Sequence, residues 1–433
     1  MRICSGLLAL TILLIPSLSR SEASSSEAEA VYVLSDTDMV PTVYETGELG
    51  PPDVKSQDTL SVITSPLSPA PSVTGVEISN STYGPPGALD LSPDGRFAFV
   101  AETYLQRPTG ATRLDELPPG NTIRSINLNG DRSVVDSVEI GSRPQAIEVS
   151  PLGDLIAAVT VENNRELAFV SVDGGRFGKV ASFDLGLEPQ TGFIPLKSTW
   201  VQWHPSGRYV AVNLVDRNQV GFYEVIRDQS GHVANIHPWG NRVQTNKFPF
   251  VGRFSPDGRY YITSDLQWGI DTDGFYGVQE GILTSIRLAD VGSSGDAARH
   301  RVPHIALGGW GSETMAFSPD GRFLVTSNLR GTGKPDGSRD WTERASLSLY
   351  ELNAETGRLT LHGEWPISSV LPQGLAFDRS GRNVFVGVNR YRNESSPLGA
   401  VEIWRIVTEG RPSLVATKGR IRLPPGVHTI VSR

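Results

Sequence analysis

Five residues before each of six tight-turn glycines stands a column whose members can do chemistry: Asp90, Glu148, Gln202, Arg253, Ala316 and Ala376. Aligning the C-terminal LPPG segment with the LPQG segment at 371–374 adds His428 as its seventh member. The positions on either side are mostly apolar: Leu89, Ile147, Val201, Met315 and Leu375 before, and Leu91, Val149, Trp203, Phe254, Phe317 and Phe377 after. Period-two alternation predicts one polar face on a strand. It does not predict two acids, an amide, an arginine and a histidine on adjacent repeats. Read as a reactive cluster, Glu148 or His428 acts as general base, Arg253 holds an anion or a developing oxyanion, and Asp90 supports them. Read as architecture, the same side chains form a hydrogen-bonded ring around a wet axial channel, with Arg253 paired to an acid. Three residues upstream, Gln145, Glu313 and Gln373 extend the polar path, and with Gln202 they are candidate ligand contacts.

The elements that must position these residues repeat along the chain. LDLSPDGRFAFVAE, IEVSPLGDLIAAVT, VQWHPSGRYVAVNL, GRFSPDGRYYITSD, MAFSPDGRFLVTSN and LAFDRSGRNVFVGV each place a tight turn between two strand-like runs. Proline presets φ at the first corner, aspartate bonds its own backbone, and glycine takes the left-handed position. The turn glycines, Gly95, Gly153, Gly207, Gly258, Gly321 and Gly381, are 58, 54, 51, 63 and 60 residues apart. Two further strands follow each turn, for example Thr122 to Leu128, Gln219 to Ile226, Ser346 to Leu352 and Ala400 to Ile406. Four short strands per unit with a period above 50 is the pattern of a propeller. LPPGVHTIVSR at 423–433 supplies a first strand with nothing after it, and the strands at Ala30 to Ser35, Thr59 to Thr64 and Val73 to Ile78 supply the missing three. One blade built from both ends brings the count to seven and removes exposed sheet edges.

SPDGRFAFVAE, SPDGRYYITSD and SPDGRFLVTSN make the chain similar to the lactonase-type and YVTN-type seven-bladed β-propellers, a group that includes 6-phosphogluconolactonase-like proteins. The resemblance spans essentially the whole mature chain. It implies an all-β ring and raises a lactone or sugar-derived substrate. Members of that group often carry Pro-Arg-His entering the first strand; here Arg143-Pro144-Gln145, Pro372-Gln373-Gly374 and Pro424-Pro425-Gly426 occupy those entries.

Length variation is concentrated in the loops after the second strand and between blades, and binding usually resides in variable loops on a rigid scaffold. These inserts carry Trp268 and Trp341, with Tyr104, Phe275, Tyr276, Arg339 and Tyr391 nearby, a set that suits a flat or polyol-like ligand or anchors the loops.

The N-terminus reads as a signal peptide over residues 1–23: Arg2, an apolar run from Gly6 to Ile15, then small residues ending at Ala23. Removal takes with it Cys4, the only cysteine, and makes the net charge of −8 one unit more negative. The mature chain therefore has no thiol chemistry, and its acidic balance argues against nucleic acid. Residues 24–30 read as a flexible start and 31–433 as one propeller, expected to be monomeric, with no transmembrane segment after signal removal. No metal or cofactor motif appears. Asp271-Thr272-Asp273-Gly274 lacks the opening acid of a calcium loop. The expected function is an exported, secreted or periplasmic, hydrolase or isomerase of a small polar ligand, with Glu148, Arg253, His428 and Asp90 as catalytic residues at the loop-rich face. The alternative is a non-catalytic propeller that binds a glycan, peptide or envelope protein.

Overall fold

The computed structural model describes residues 29–51, 57–81, 83–187, 196–392 and 398–433. The expected signal segment and most of the expected flexible start lie outside these residues. Seven antiparallel sheets form the ring. Six follow one another along the chain, and their innermost strands are Leu89–Leu91, Ala146–Val149, Ser198–Trp203, Pro249–Phe254, Ser312–Phe317 and Leu375–Phe377. The seventh runs from Val427–Ser432 outward through Ala30–Ser35, Thr59–Thr64 and Ser72–Glu77. Val431 pairs with Tyr32 and Ile430 with Val33. The Ala30 and Arg433 backbones exchange hydrogen bonds of 2.7 and 2.8 Å. The third blade departs from four strands: Val243–Gln244 adds a short fifth beside Gln219–Arg227.

Burial explains why the second strands show no alternation. Phe97–Tyr104, Tyr209–Leu214, Tyr260–Asp265 and Phe323–Asn328 are buried along their whole length. Each is covered on both faces by neighbouring blades, so apolar residues occupy both. The outermost strand Ser72–Glu77 is mostly exposed and reads as polar.

The repeated turn works as its residues dictate. Ser92 Oγ donates to Asp94 at 2.6 Å and accepts the Phe97 N–H at 3.0 Å, while Asp94 also accepts the Arg96 N–H at 3.0 Å. Ser318 and Asp320 repeat this pattern. Gly95 sits at φ +69°, where a Cβ is strained. At Gly153, φ +77°, a Cβ would also come within 2.7 Å of Pro93 in the preceding blade, so this glycine sets blade spacing as well as turn geometry.

Residues 427–433 close the ring, and Val427 and Ile430 are buried in the core they share with the sixth blade. Burial of those two side chains alone is worth about 4 kcal/mol. The intact ring is expected to melt in one cooperative transition when followed by circular dichroism, and deleting 427–433 to abolish that transition; an unchanged melt would show that the ring does not depend on this strand.

Candidate functional site

The inner edge of each innermost strand faces the axis and has no further strand to pair with. Its N–H groups need other acceptors. The Ile147 N–H finds the Gly87 carbonyl at 2.9 Å, and for three others a side chain one blade earlier supplies the acceptor. Asp90 accepts the Val149 N–H at 2.7 Å, Glu148 accepts the Trp203 N–H, and Gln202 accepts the Phe254 N–H at 2.7 Å. The chain of caps stops at Arg253, which has no acceptor. Its guanidinium lies 4.2 Å from the Trp200 ring centroid and donates to Gly252 O at 3.2 Å. The next two members, Ala316 and Ala376, are apolar. Asp90, Glu148, Gln202 and Arg253 thus converge on one cavity of about 370 Å³, together with Trp200, Phe254, Phe317 and Pro319.

His428 does not belong to this column. In the third blade Ser198 pairs with the last residue of the second strand, Leu214, and the column member is four residues on, Gln202. In the seventh blade Val427 pairs with Ser35 in the same way, so the column member is Val431. His428 falls three residues nearer the loop face, level with Gln145, Glu313 and Gln373. There its ring nitrogens are held by Asn80 Oδ1 at 2.9 Å and Thr429 Oγ1 at 2.8 Å, and burial lowers its pKa to about 3. A neutral, fully bonded imidazole at this depth is a structural strut.

This second tier is closed off. Gln145, Glu313, Gln373 and His428 are each no more than 2% exposed. Gln373 donates to Glu313 at 3.0 Å and to the Tyr44 hydroxyl at 3.2 Å. Tyr44, on the short helix Val43–Thr46, stacks on Tyr83 with centroids 5.3 Å apart. The N-terminal insertion therefore lies over the axis at the loop-rich end. The expectation that Gln145, Glu313 and Gln373 carry the polar path to that face is not met. Pro319 and Ser432 bring the cavity to the tight-turn rim, the end away from the buried second tier.

Environment separates the carboxyls. Burial raises Glu148 to about 8, and the neighbouring Asp90 charge adds to the rise against the pull of Arg253, the Trp203 N–H and Gln202. Burial raises Asp90 to about 6, opposed by the Val149 and Leu91 N–H groups and Arg253. Burial lowers the Arg253 pKa, and Glu148, Tyr261 and Asp90 resist that shift. Near neutral pH, Asp90 is mostly ionised, Glu148 mostly protonated and Arg253 cationic.

The loop tryptophans differ. Trp268 is 4% exposed and packs among Phe248, Phe250, Phe275 and Tyr276, so it anchors its loop and presents no ligand surface. Trp341 is half-buried with the Arg392 guanidinium 5.2 Å from its ring centroid. Glu102, Asp265 and Asn328, at the ends of second strands, hold strands together through Arg124, Thr284 and Ser348. Asp271 pairs with Lys247. Among the described residues no three His, Cys, Asp or Glu gather where a metal would bind. Tyr44 and Arg390 had no distinguishing pattern in the sequence; both stand in irregular inserts whose path over the ring no periodicity reveals.

Residues 200–396 match the family described as Lactonase, 7-bladed beta-propeller. No curated protein matches. Among solved structures, a candidate 6-phosphogluconolactonase from Bacteroides uniformis is 12% identical, with a TM-score of 0.62 over 94% of this chain and 99% of that one. The periplasmic gluconolactonase PpgL of Pseudomonas aeruginosa is 16% identical, with a TM-score of 0.60 over 93% and 99%. A Lactobacillus plantarum protein is also 16% identical, with a TM-score of 0.60 over 94% and 99%. At these identities the likeness establishes the fold.

Burial raises Glu313 to about 8, and Gln373 is its hydrogen-bond donor. A carboxyl whose folded pKa lies above its unfolded value binds more protons when folded, so its contribution to stability falls as pH rises from about 4.5 to 8. Glu313→Gln keeps an acceptor for Gln373 and removes the titration. It is expected to melt higher than wild type at pH 9 and close to wild type at pH 5; a gain independent of pH would contradict the assignment.

Proposed function

We propose, on the premise that this chain is a lactonase-type seven-bladed β-propeller, that it is an exported hydrolase of small sugar-derived lactones working in the axial cavity at the tight-turn rim. The observation that carries this reading is the meeting of two carboxyls held at different proton affinities with one arginine in a single open cavity. Groups pushed apart in this way mark acid and base roles.

The steps follow from that division. The Asp90 carboxylate takes a proton from water as the oxygen attacks the lactone carbonyl carbon. Arg253 faces the oxyanion that forms. The ring C–O bond then breaks, and the Glu148 carboxyl delivers its proton to the departing alkoxide. The product is an open hydroxy acid, ionised at neutral pH; Asp90 releases its proton and Glu148 regains one from solvent. Trp200 holds the Arg253 plane through its ring face, and Gln202 positions Glu148. Phe254 and Phe317 give the sugar ring an apolar wall.

The caps on Val149, Trp203 and Phe254 favour a second reading, in which the channel acids serve only to join blades and the propeller binds without catalysis. Kinetics on five- and six-membered aldonolactones separate the two. Glu148→Gln preserves an acceptor for the Trp203 N–H, so the melting temperature should stay near wild type while kcat falls about 10²- to 10⁴-fold. Arg253→Met should lower kcat about 10²- to 10³-fold. The wild-type rate should rise with pH through about 6, as Asp90 ionises, and fall through about 8, as Glu148 loses its proton. Folded wild type with no turnover of any lactone would leave the structural reading.

Export is supported by the Arg2-led apolar segment and by the likeness to a periplasmic enzyme. N-terminal sequencing of the protein recovered from the periplasm or medium is expected to begin at Ser24. Recovery only from the cytoplasm with Met1 intact would refute it.

A further inference from the structure

At the loop-rich end, opposite the mouth of the axial cavity, the N-terminal insertion leans against loops of the fifth and sixth blades and leaves a second cavity of about 510 Å³. Lys334, Arg390 and Arg392 line it, with Glu48 as the acid on its wall. Arg392 is engaged: it pairs with Asp336 and donates to Thr332 O at 2.9 Å. Arg390 is different. Its carbonyl accepts the Val370 N–H at 3.1 Å, which fixes its backbone. Its guanidinium has no acidic partner among the described residues, and its Nε is buried without an acceptor, as is the Nε of Arg392. Burial lowers the Arg390 pKa with no carboxylate to offset it. A guanidinium stays charged even so, and an uncompensated buried charge destabilises the fold.

We propose that this cavity binds a small organic oxyanion, a carboxylate or a phosphate, whose charged end meets the Arg390 guanidinium between Arg392 and Lys334 and whose body rests on Val40, Leu49 and Val370. The planar fork of an arginine takes two oxygens of such a group at once. The volume falls within the range of small-molecule sites, and is larger than a bare inorganic ion needs. Six-residue inner strands span about 20 Å, and the Glu313–Gln373–Tyr44 seal lies between the two cavities, so one small ligand does not fill both. The occupant ties the insertion to the fifth and sixth blades and holds Tyr44 down over Glu313 and Gln373. The site does not depend on the hydrolase reading.

The test is a melting-temperature titration of the mature protein in phosphate-free, low-salt buffer, with sodium phosphate, sodium gluconate and, as an ionic-strength control, sodium chloride. Phosphate or gluconate should raise the wild-type melting temperature saturably, and chloride should not. A response to phosphate alone assigns a phosphate ligand, and to gluconate alone a carboxylate. Arg390→Met should bind at least tenfold more weakly and melt no lower than wild type without anion. Arg390→Lys, which keeps the charge and loses the fork, covers failure of the first variant to fold and should weaken binding without abolishing it. Glu148→Gln should retain the full response. No saturable shift in wild type, an undiminished shift without Arg390, or loss of the shift in Glu148→Gln would overturn the proposal.

Discussion

The inner edge of every blade carries backbone N–H groups that no strand can satisfy, because the axis is where the sheets end. In the first three blades the acceptor is a side chain reaching across to the next: Asp90 to Val149, Glu148 to Trp203, Gln202 to Phe254. This requirement accounts for polar residues in an otherwise apolar column. It also places carboxyls where water is scarce, and burial then raises their proton affinity. The structural need and the chemical opportunity therefore have one origin, and neither reading of the column excludes the other.

The ring is uneven because the caps stop. Arg253 follows three acceptors and cannot continue them, and Ala316, Ala376 and Val431 leave the opposite wall smooth. The cation is held by Trp200 and the Gly252 carbonyl, and no ion pair with Asp90 or Glu148 forms. One side of the cavity is thus polar and charged, and the other offers Phe317 and Phe377. A sugar lactone has the matching asymmetry, with a carbonyl to be polarised and a ring face to be packed. The N-terminal insertion completes the arrangement by placing Tyr44 over the other end, where its hydroxyl accepts from Gln373.

Most of the architecture was legible because it rests on short-range rules. The turn serine, aspartate and glycine impose their geometry locally, and the seventh blade could be inferred from one orphan strand and three unclaimed ones. The convergence of Asp90, Glu148, Gln202 and Arg253 followed from the turn spacing. His428 falls outside the column because its strand has no turn glycine after it, and the glycine that precedes it has another duty. Gly426 sits at φ +84°, with its N–H on Asn389 O and its carbonyl on the Asp36 N–H, closing the ring rather than entering a strand as Gly374 does. The strand is displaced by three residues. Trp268 is hidden for a different reason: composition shows an aromatic in a long loop, but only packing shows that it turns inward. The covering of the loop-rich end is equally hidden, since the path of residues 36–50 over the axis is a long-range event.

The proposed hydrolysis requires the axial cavity at the tight-turn rim to hold the reacting group. A crystal structure with an aldonolactam, which keeps the ring and carbonyl of a lactone but resists hydrolysis, tests this directly. The lactam should lie in that cavity, its carbonyl oxygen within hydrogen-bond reach of Arg253 and its ring against Phe254 or Phe317. A lactam bound among the loops of the opposite face, with the axial cavity empty of it, would contradict the account.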